Sequence, residues 1–257
     1  MSCLPKALLR QTGCASTVET RIAHHFAMLE NVPIYSATLA TVEEYADLLQ
    51  DGIALPIGSV EFLRKIMACL ALEEPANISY PEALQAFLQR DVRQHQAGQV
   101  LGTHFVKPTT TKCFTGFVFD TMTDPTTLEP HVQEQHEAFM ALDARTPVWV
   151  SEPVCWQTEV RYYVCENQVL GYGRYDDGPD DWPMPDERCV HAMVEAFAQA
   201  GAPAAYTLDV GVLDSGETAL VECNDAWAVG FYKGTLSPRD YVRMLWARWQ
   251  QIRLTAS

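Results

Sequence analysis

Residues 205–224 read AYTLDVGVL (Ala205–Leu213), DSGE (Asp214–Glu217) and then TALVECN (Thr218–Asn224). The Ser215-Gly216 pair is a turn signal between two apolar runs, and it predicts an antiparallel hairpin. With Ser215 and Gly216 as a two-residue loop, Asp214 faces Glu217, and counting back sets Asp209 opposite Glu222. Directly opposed residues share a face, with Cβ atoms about 4.5–5.5 Å apart. Asn224, two residues beyond Glu222, lies on that face too. Strand carboxylates ordinarily face water, but these interrupt runs that otherwise read as core, where acids are poor strand formers. Two carboxylates this close repel each other unless one is protonated or a cation lies between them. Two acids and an amide oxygen form a hard oxygen set suited to Mg²⁺ shared with phosphate. Asp209, Glu222 and Asn224 are therefore the candidate metal ligands.

Working outward, further strands are expected at Gly102–Lys107, Gly116–Asp120, Pro147–Val154, Thr158–Glu166 and Gln168–Tyr175. Helices interrupt them at His131–Leu142 and at Asp186–Ala200, the latter with Val190, Met193, Val194 and Phe197 on one stripe. A last helix opens at Ser237-Pro238, a serine cap with proline in the first turn, and buries Val242, Leu245, Trp246 and Trp249. Upstream, Lys6–Gln11 reads as a strand, Thr17–Glu30 as a helix with Ile22, Phe26 and Leu29 at helical spacing, and Val32–Tyr35 as a strand. Thr41–Leu49 reads as helical, Pro56–Ser59 as a turn whose serine caps a helix over Val60–Leu72, and Pro81–His95 as another helix. The acidic, proline-rich Asp176–Pro185 reads as a loop. Hairpins mixed with helices indicate an α+β architecture.

Three further pieces carry chemistry. Lys107 ends an apolar strand and leads into Thr109-Thr110-Thr111-Lys112, so it can reach a phosphate as a point charge, although lysine before proline is also an ordinary strand terminus. Glu159, Arg161 and Tyr163 share one strand face, where an arginine either pairs with an acid or grips phosphate with its planar fork. Ser151-Glu152-Pro153-Val154 ends a strand at a proline, which frees its backbone groups for a ligand.

The chain's 257 residues, 48% hydrophobic and 20% charged, fit a folded globular protein. A net charge of −15 argues against a nucleic-acid partner, since phosphates would be repelled rather than neutralised. It leaves room for ATP, which needs only local cations, a metal ion and backbone N–H groups. No stretch reaches the roughly 18 apolar residues of a membrane span. The opening MSCLPKALLRQTG has too short an apolar run for a signal-peptide core. The 8 cysteines include no C-x-x-C pair, so reduced thiols in a cytoplasmic chain are expected. His24, His25, His131 and His136 lack zinc spacing and read as surface or capping residues.

Taken in order, these pieces resemble the ATP-grasp superfamily, and within it the clade named for one arginine and two lysines. The resemblance covers roughly Pro56 to Gly234. It implies an ATP-grasp fold with a small α/β lobe over residues 1–75, an ATP-grasp domain over 76–257 and a hinge near 150–155. It also implies that Lys107 and Lys112 contact ATP phosphates, that backbone at Ser151, Glu152 and Val154 meets adenine, and that Glu159 and Arg161 form the arginine strand at the terminal phosphate. Asp209, Glu222 and Asn224 match its magnesium ligands, and Trp227–Gly234 resembles the segment that follows them, with Lys233 placed to bind a substrate carboxylate. The phosphate loop departs from the family in having threonines in place of a glycine-rich run. Lys65 is the candidate for the family's other ATP lysine. The implied activity is a Mg·ATP-dependent carboxylate–amine ligase acting through an acyl phosphate on a small-molecule or peptide carboxylate and an amine. Arg161, Lys112 and Lys233 would act on the reacting groups. The rival readings are a non-catalytic nucleotide sensor and a phosphotransferase that stops at a phosphorylated product.

Overall fold

The computed structural model describes residues 4–14, 17–110, 113–174, 176, 178 and 181–255. The chain begins with β1 (Ala7–Gln11), α1 (Val18–Glu30), β2 (Ile34–Ala37), α2 (Ala46–Gln50), β3 (Ala54–Ile57) and α3 (Val60–Cys69). The three strands form a parallel sheet in the order β2-β1-β3. Thr17 caps α1 by accepting from the Thr20 N–H at 3.3 Å, and Ser59 caps α3 by accepting from the Phe62 N–H at 3.3 Å.

The second sheet is antiparallel in the order β4-β7-β5-β6. It comprises β4 (Val92–Gln96), β5 (Thr103–Pro108), β6 (Phe117–Asp120) and β7 (Pro147–Ser151), with α4 (Pro130–Met140) preceding β7. Phe117, Phe119 and Phe139 fill the core between this sheet and α4.

The third sheet, β11-β10-β8-β9, contains β8 (Trp156–Cys165), β9 (Gln168–Arg174), β10 (Ala205–Leu213) and β11 (Thr218–Asp225). Helix α5 (Glu187–Gln199) lays Val190, Met193, Val194 and Phe197 on one face of it, as the stripe predicts. Helix α6 (Pro238–Thr255) packs with the other face and with the N-terminal sheet in one continuous cluster that joins Leu8, Phe26 and Ile66 to Tyr163, Trp246 and Trp249. Its start is fixed by the Ser237 hydroxyl, which accepts from the Asp240 N–H at 3.1 Å and donates to the Asp240 carboxylate at 2.6 Å.

Several expectations need correction. Pro81–His95 is not a helix: a 3-10 turn covers Glu82–Phe87 and β4 follows. Strand β4 is an edge whose residues are almost all exposed, and its polar composition disguised it. Pro56 and Ile57 belong to β3, also an edge strand where a proline is tolerated, so the turn starts at Gly58. Leu29 is 68% exposed, and Ala23, Phe26 and Ala27 form the buried face of α1 instead. Of the predicted loop at 176–185, residues 177, 179 and 180 lie outside the described set, as does Tyr175 from the predicted end of β9.

Gly234 bridges Gly173 of β9, and a Cβ there would land on the Tyr172 carbonyl oxygen. Gly234→Ala must push backbone from backbone. Its expected cost is about 2–3 kcal/mol, read as a lower urea midpoint; an unchanged midpoint would contradict this packing.

Candidate functional site

The hairpin brings Asp209 opposite Glu222 as expected, but by a different route. Leu213 pairs with Glu217, leaving a three-residue loop closed by Gly216 at φ 88°. The register then shifts between Asp209 and Val210, where an extra residue in β11 restores the Asp209–Glu222 pairing. On its other side Asp209 is the cross-strand partner of Arg161 in β8. Arg161, Asp209 and Glu222 therefore form one row across three adjacent strands, with Tyr163, Thr207 and Asn224 in the row beside it.

The expected face-to-water alternative does not hold for Asp209, which is 0% exposed. Arg161 grips it with both arms, Nε donating to Oδ1 at 2.7 Å and Nη2 to Oδ2 at 2.6 Å. Burial would lower the pKa of this guanidinium, but the charge and hydrogen bonds of Asp209 more than offset that and raise it. The Asn224 amide donates to Asp209 Oδ2 at 3.0 Å and to Glu222 Oε1 at 2.9 Å, so a partial positive charge sits between the two acids. Glu222 in turn pairs with Lys107. The repulsion predicted for the two carboxylates is thus offset by protein cations, and a divalent ion is not required to hold them together.

Lys107 projects from β5 of the second sheet and donates to the Ser79 hydroxyl at 3.1 Å. Its ammonium lies 5.5 Å from the centre of the Tyr80 ring. Burial pushes the pKa of this ammonium down, while the Asp209 carboxylate pulls it back up. Ser79 is 2% exposed, and its carbonyl accepts from the Cys223 N–H of β11 at 2.9 Å, so it ties the lysine strand's partner to the acid strand.

These groups surround a cavity of about 970 Å³. Among the expected site residues, Lys107, Ser151, Glu152, Val154, Glu159, Arg161, Glu222 and Asn224 all line it. Ser151 ends β7, and residues 152–155 run outside any strand ladder. The Glu152 carboxylate accepts from the Asp91 N–H at 3.2 Å, and the Glu159 N–H donates to Asp176 at 2.8 Å. Asp209 is not among the lining residues; it stands behind Arg161. Lys233 is exposed and does not line the cavity. Lys65 pairs with Glu43 at 3.0 Å on the N-terminal helices and is likewise not a lining residue. Lys112 lies outside the described residues.

Sequence reasoning missed Arg90, Ser79 and Tyr80, which also line the cavity. Arg90 donates to the carbonyls of Leu220 at 2.8 Å and Val221 at 2.9 Å and stacks over Trp156 at 5.2 Å. It clamps the bulged part of β11, and no periodicity marks it because its neighbours are a turn and a polar edge strand. Among the described residues no group of three or more His, Cys, Asp or Glu side chains is placed to hold a metal. A metal here would rest on acids and an amide. Glu222 and Asn224, which line the cavity with Lys107 and Arg161, carry the hard oxygen donors that Mg²⁺ requires beside cations that suit phosphate. The residues fit a magnesium–nucleotide group.

This fold and cavity define an ATP-grasp protein, and comparison with known proteins agrees. The profile of an ATP-grasp domain, family 3 of the clade named for one arginine and two lysines, matches residues 55–252, and the chain belongs to that family. Among solved structures, a D-alanine–D-alanine ligase from Bacillus anthracis superposes with a TM-score of 0.55 at 12% identity, covering 98% of this chain and 99% of that one. The ATP-grasp ligase PsnB, complexed with a minimal precursor, gives 0.50 at 12% identity, with 97% and 99% covered. The N5-carboxyaminoimidazole ribonucleotide synthetase PurK, in an ADP complex, gives 0.50 at 10%, with 86% and 70% covered. Identities this low carry the fold alone. No curated protein matches the chain. Among the described residues no helix is long and apolar enough to cross a membrane.

Proposed function

We propose that this protein is a Mg²⁺- and ATP-dependent carboxylate–amine ligase acting on a small-molecule or peptide carboxylate and an amine in the cytoplasm. One observation carries the reading: Lys107, Arg161, Glu222 and Asn224, from three strands of two sheets, converge on one large cavity that the strand end at Ser151–Val154 also lines. That structures of the same fold include ligases and nucleotide complexes supports it.

When bound, ATP supplies the phosphoryl group that converts a carboxylate into an acyl phosphate open to an amine, and Mg²⁺ offsets charge on its phosphates. The chain's own residues hold and align. Glu222 and Asn224 would hold Mg²⁺, and Asp209, buried behind them, orients Asn224 by accepting from its amide N–H. Lys107 neutralises phosphate charge from the facing sheet, with Lys112 the second lysine of that strand and loop. Arg161, held rigidly by Asp209 and with Tyr232 stacked at 5.1 Å, offers a preorganised cation, so little reorganisation is needed as charge moves. Glu159 shares its strand face, and the backbone at Ser151, Glu152 and Val154, free of any ladder beyond Ser151, can meet the base.

The test is ADP release from Mg·ATP with carboxylates and amines supplied singly and in pairs. Release that needs both partners is expected. Nucleotide binding with no turnover across the panel would instead select a sensor, and a stable phosphoester in place of an amide would select a phosphotransferase.

A further inference from the structure

We infer that Arg90 is a positioning residue for the magnesium–nucleotide site: it holds the bulge of β11 that keeps Glu222 and Asn224 on the cavity face. The inference rests on the ligase reading and deepens it, because it says what keeps the proposed metal ligands in place. Asp209 pairs with Glu222 and Val210 with Leu220, so Val221 is the extra residue of the bulge. Side chains alternate between sheet faces, so the count of residues from the hairpin loop decides which face Glu222 takes. With the bulge ironed out, Val221 would stand opposite Asp209 and Glu222 opposite Leu208. Leu208 lies in the core under α5, on the other face of the sheet. A carboxylate is costly there, so β11 without its bulge faces either a buried acid or a loosened edge.

Strand β11 is an edge, so the ladder with β10 fixes it from one side only. The segment before β4 supplies the other side. Arg90 Nη1 donates to the Leu220 carbonyl at 2.8 Å and Nη2 to the Val221 carbonyl at 2.9 Å. In a regular strand successive carbonyls point to opposite sides, so one guanidinium spans two consecutive ones only where the ladder is interrupted. The planar fork of arginine fits such a pair. One residue beyond Glu222, the Cys223 N–H donates to the Ser79 carbonyl at 2.9 Å. Glu222 is thus held from both flanks, by Arg90 at the two residues before it and by Ser79 at the residue after it.

Arg90 is itself fixed. Its guanidinium lies 5.2 Å from the centre of the Trp156 ring, and Nη1 also donates to the Leu88 carbonyl at 3.0 Å. Between buried Leu88 and Arg90, Gln89 takes the left-handed conformation at φ 52°, which is uncommon for a residue other than glycine. Burial lowers the pKa of the Arg90 guanidinium, a penalty that a surface arginine does not carry. Both features are unfavourable by themselves, and both serve contacts to one bulge. Groups that orient metal ligands from behind commonly change metal affinity by tenfold or more when removed.

The test compares the unmodified protein with Arg90→Met and Arg90→Lys by two measurements. Backbone hydrogen exchange reads the strand itself. Amides over residues 220–224 are expected to exchange roughly tenfold faster in Arg90→Met, with those of α6 unchanged. Affinity for a non-hydrolysable ATP analogue, with and without Mg²⁺, reads the site. The magnesium enhancement is expected to fall by roughly threefold or more in Arg90→Met. A residue that gave only charge or only stability would change both forms of the nucleotide alike and leave that ratio where it was. Lysine keeps the charge without the fork, so Arg90→Lys should lose most of the enhancement too. It also serves where Arg90→Met does not fold. An unchanged ratio in Arg90→Met, or a ratio fully restored by lysine, overturns the inference, as does unchanged exchange over residues 220–224. The response of the unmodified protein to Mg²⁺ judges the ligase reading by itself. If it shows none, the exchange measurement still decides the clamp, so the two failures are distinguishable.

Discussion

Asp209→Ala is expected to lower the folding stability by about 3–5 kcal/mol, because it strands a buried guanidinium. Arg161 is only 9% exposed, and both of its hydrogen-bonding arms on that side end on Asp209. With the acid gone, the cation keeps its desolvation penalty and loses the charge that offsets it. Asn224 also loses one of its two acceptors. The measurement is urea unfolding followed by circular dichroism. Asp209→Asn should lose less, since it keeps the shape and one acceptor for Arg161. The double variant Arg161→Met, Asp209→Leu should recover much of the loss, because replacing a buried ion pair by apolar groups removes the charge problem altogether. A loss below about 1 kcal/mol for Asp209→Ala would contradict the pairing. The same result limits what Asp209 variants reveal about metal binding, since their effects on nucleotide pass through the fold and through Arg161.

Much of this arrangement was legible from residue pattern. The acids broke apolar strands at spacings that made them face each other, and Ser237-Pro238 and the Val190–Phe197 stripe fixed two helices. What could not be read was the partner on the far side of Asp209. Strands β8 and β10 are separated by β9 and α5 in sequence, so nothing local announces that Arg161 and Asp209 are directly opposed. The hairpin alone suggests a divalent ion, whereas β8 of the same sheet supplies Arg161 and β5 of the second sheet supplies Lys107. The hairpin also shows two local errors cancelling: a loop one residue longer than expected and a bulge that restores the register. Arg90 and Ser79 were invisible for a different reason. Their roles come from backbone carbonyls and hydroxyl contacts made across the chain, which leave no periodic trace.

Glu222 offers the cleaner route to the metal. Its carboxylate lines the cavity and is partly exposed, and its contacts are Asn224 and Lys107 rather than a buried arginine. Glu222→Gln keeps the size and one oxygen but removes the negative charge that Mg²⁺ needs. It also frees Lys107 from its carboxylate, so a metal-free nucleotide should meet a more available ammonium. The substitution is therefore expected to act in opposite directions on the two forms of the ligand, weakening the magnesium complex and strengthening the free nucleotide.

Whether Glu222 and its neighbours form a magnesium–nucleotide site is decided by the affinity for a non-hydrolysable ATP analogue with and without Mg²⁺, in the unmodified protein and in Glu222→Gln. Mg²⁺ is expected to tighten binding by roughly tenfold or more in the unmodified protein and to have little effect in the variant, whose metal-free affinity is higher. An equal magnesium enhancement in both proteins would place the metal elsewhere and contradict the assignment.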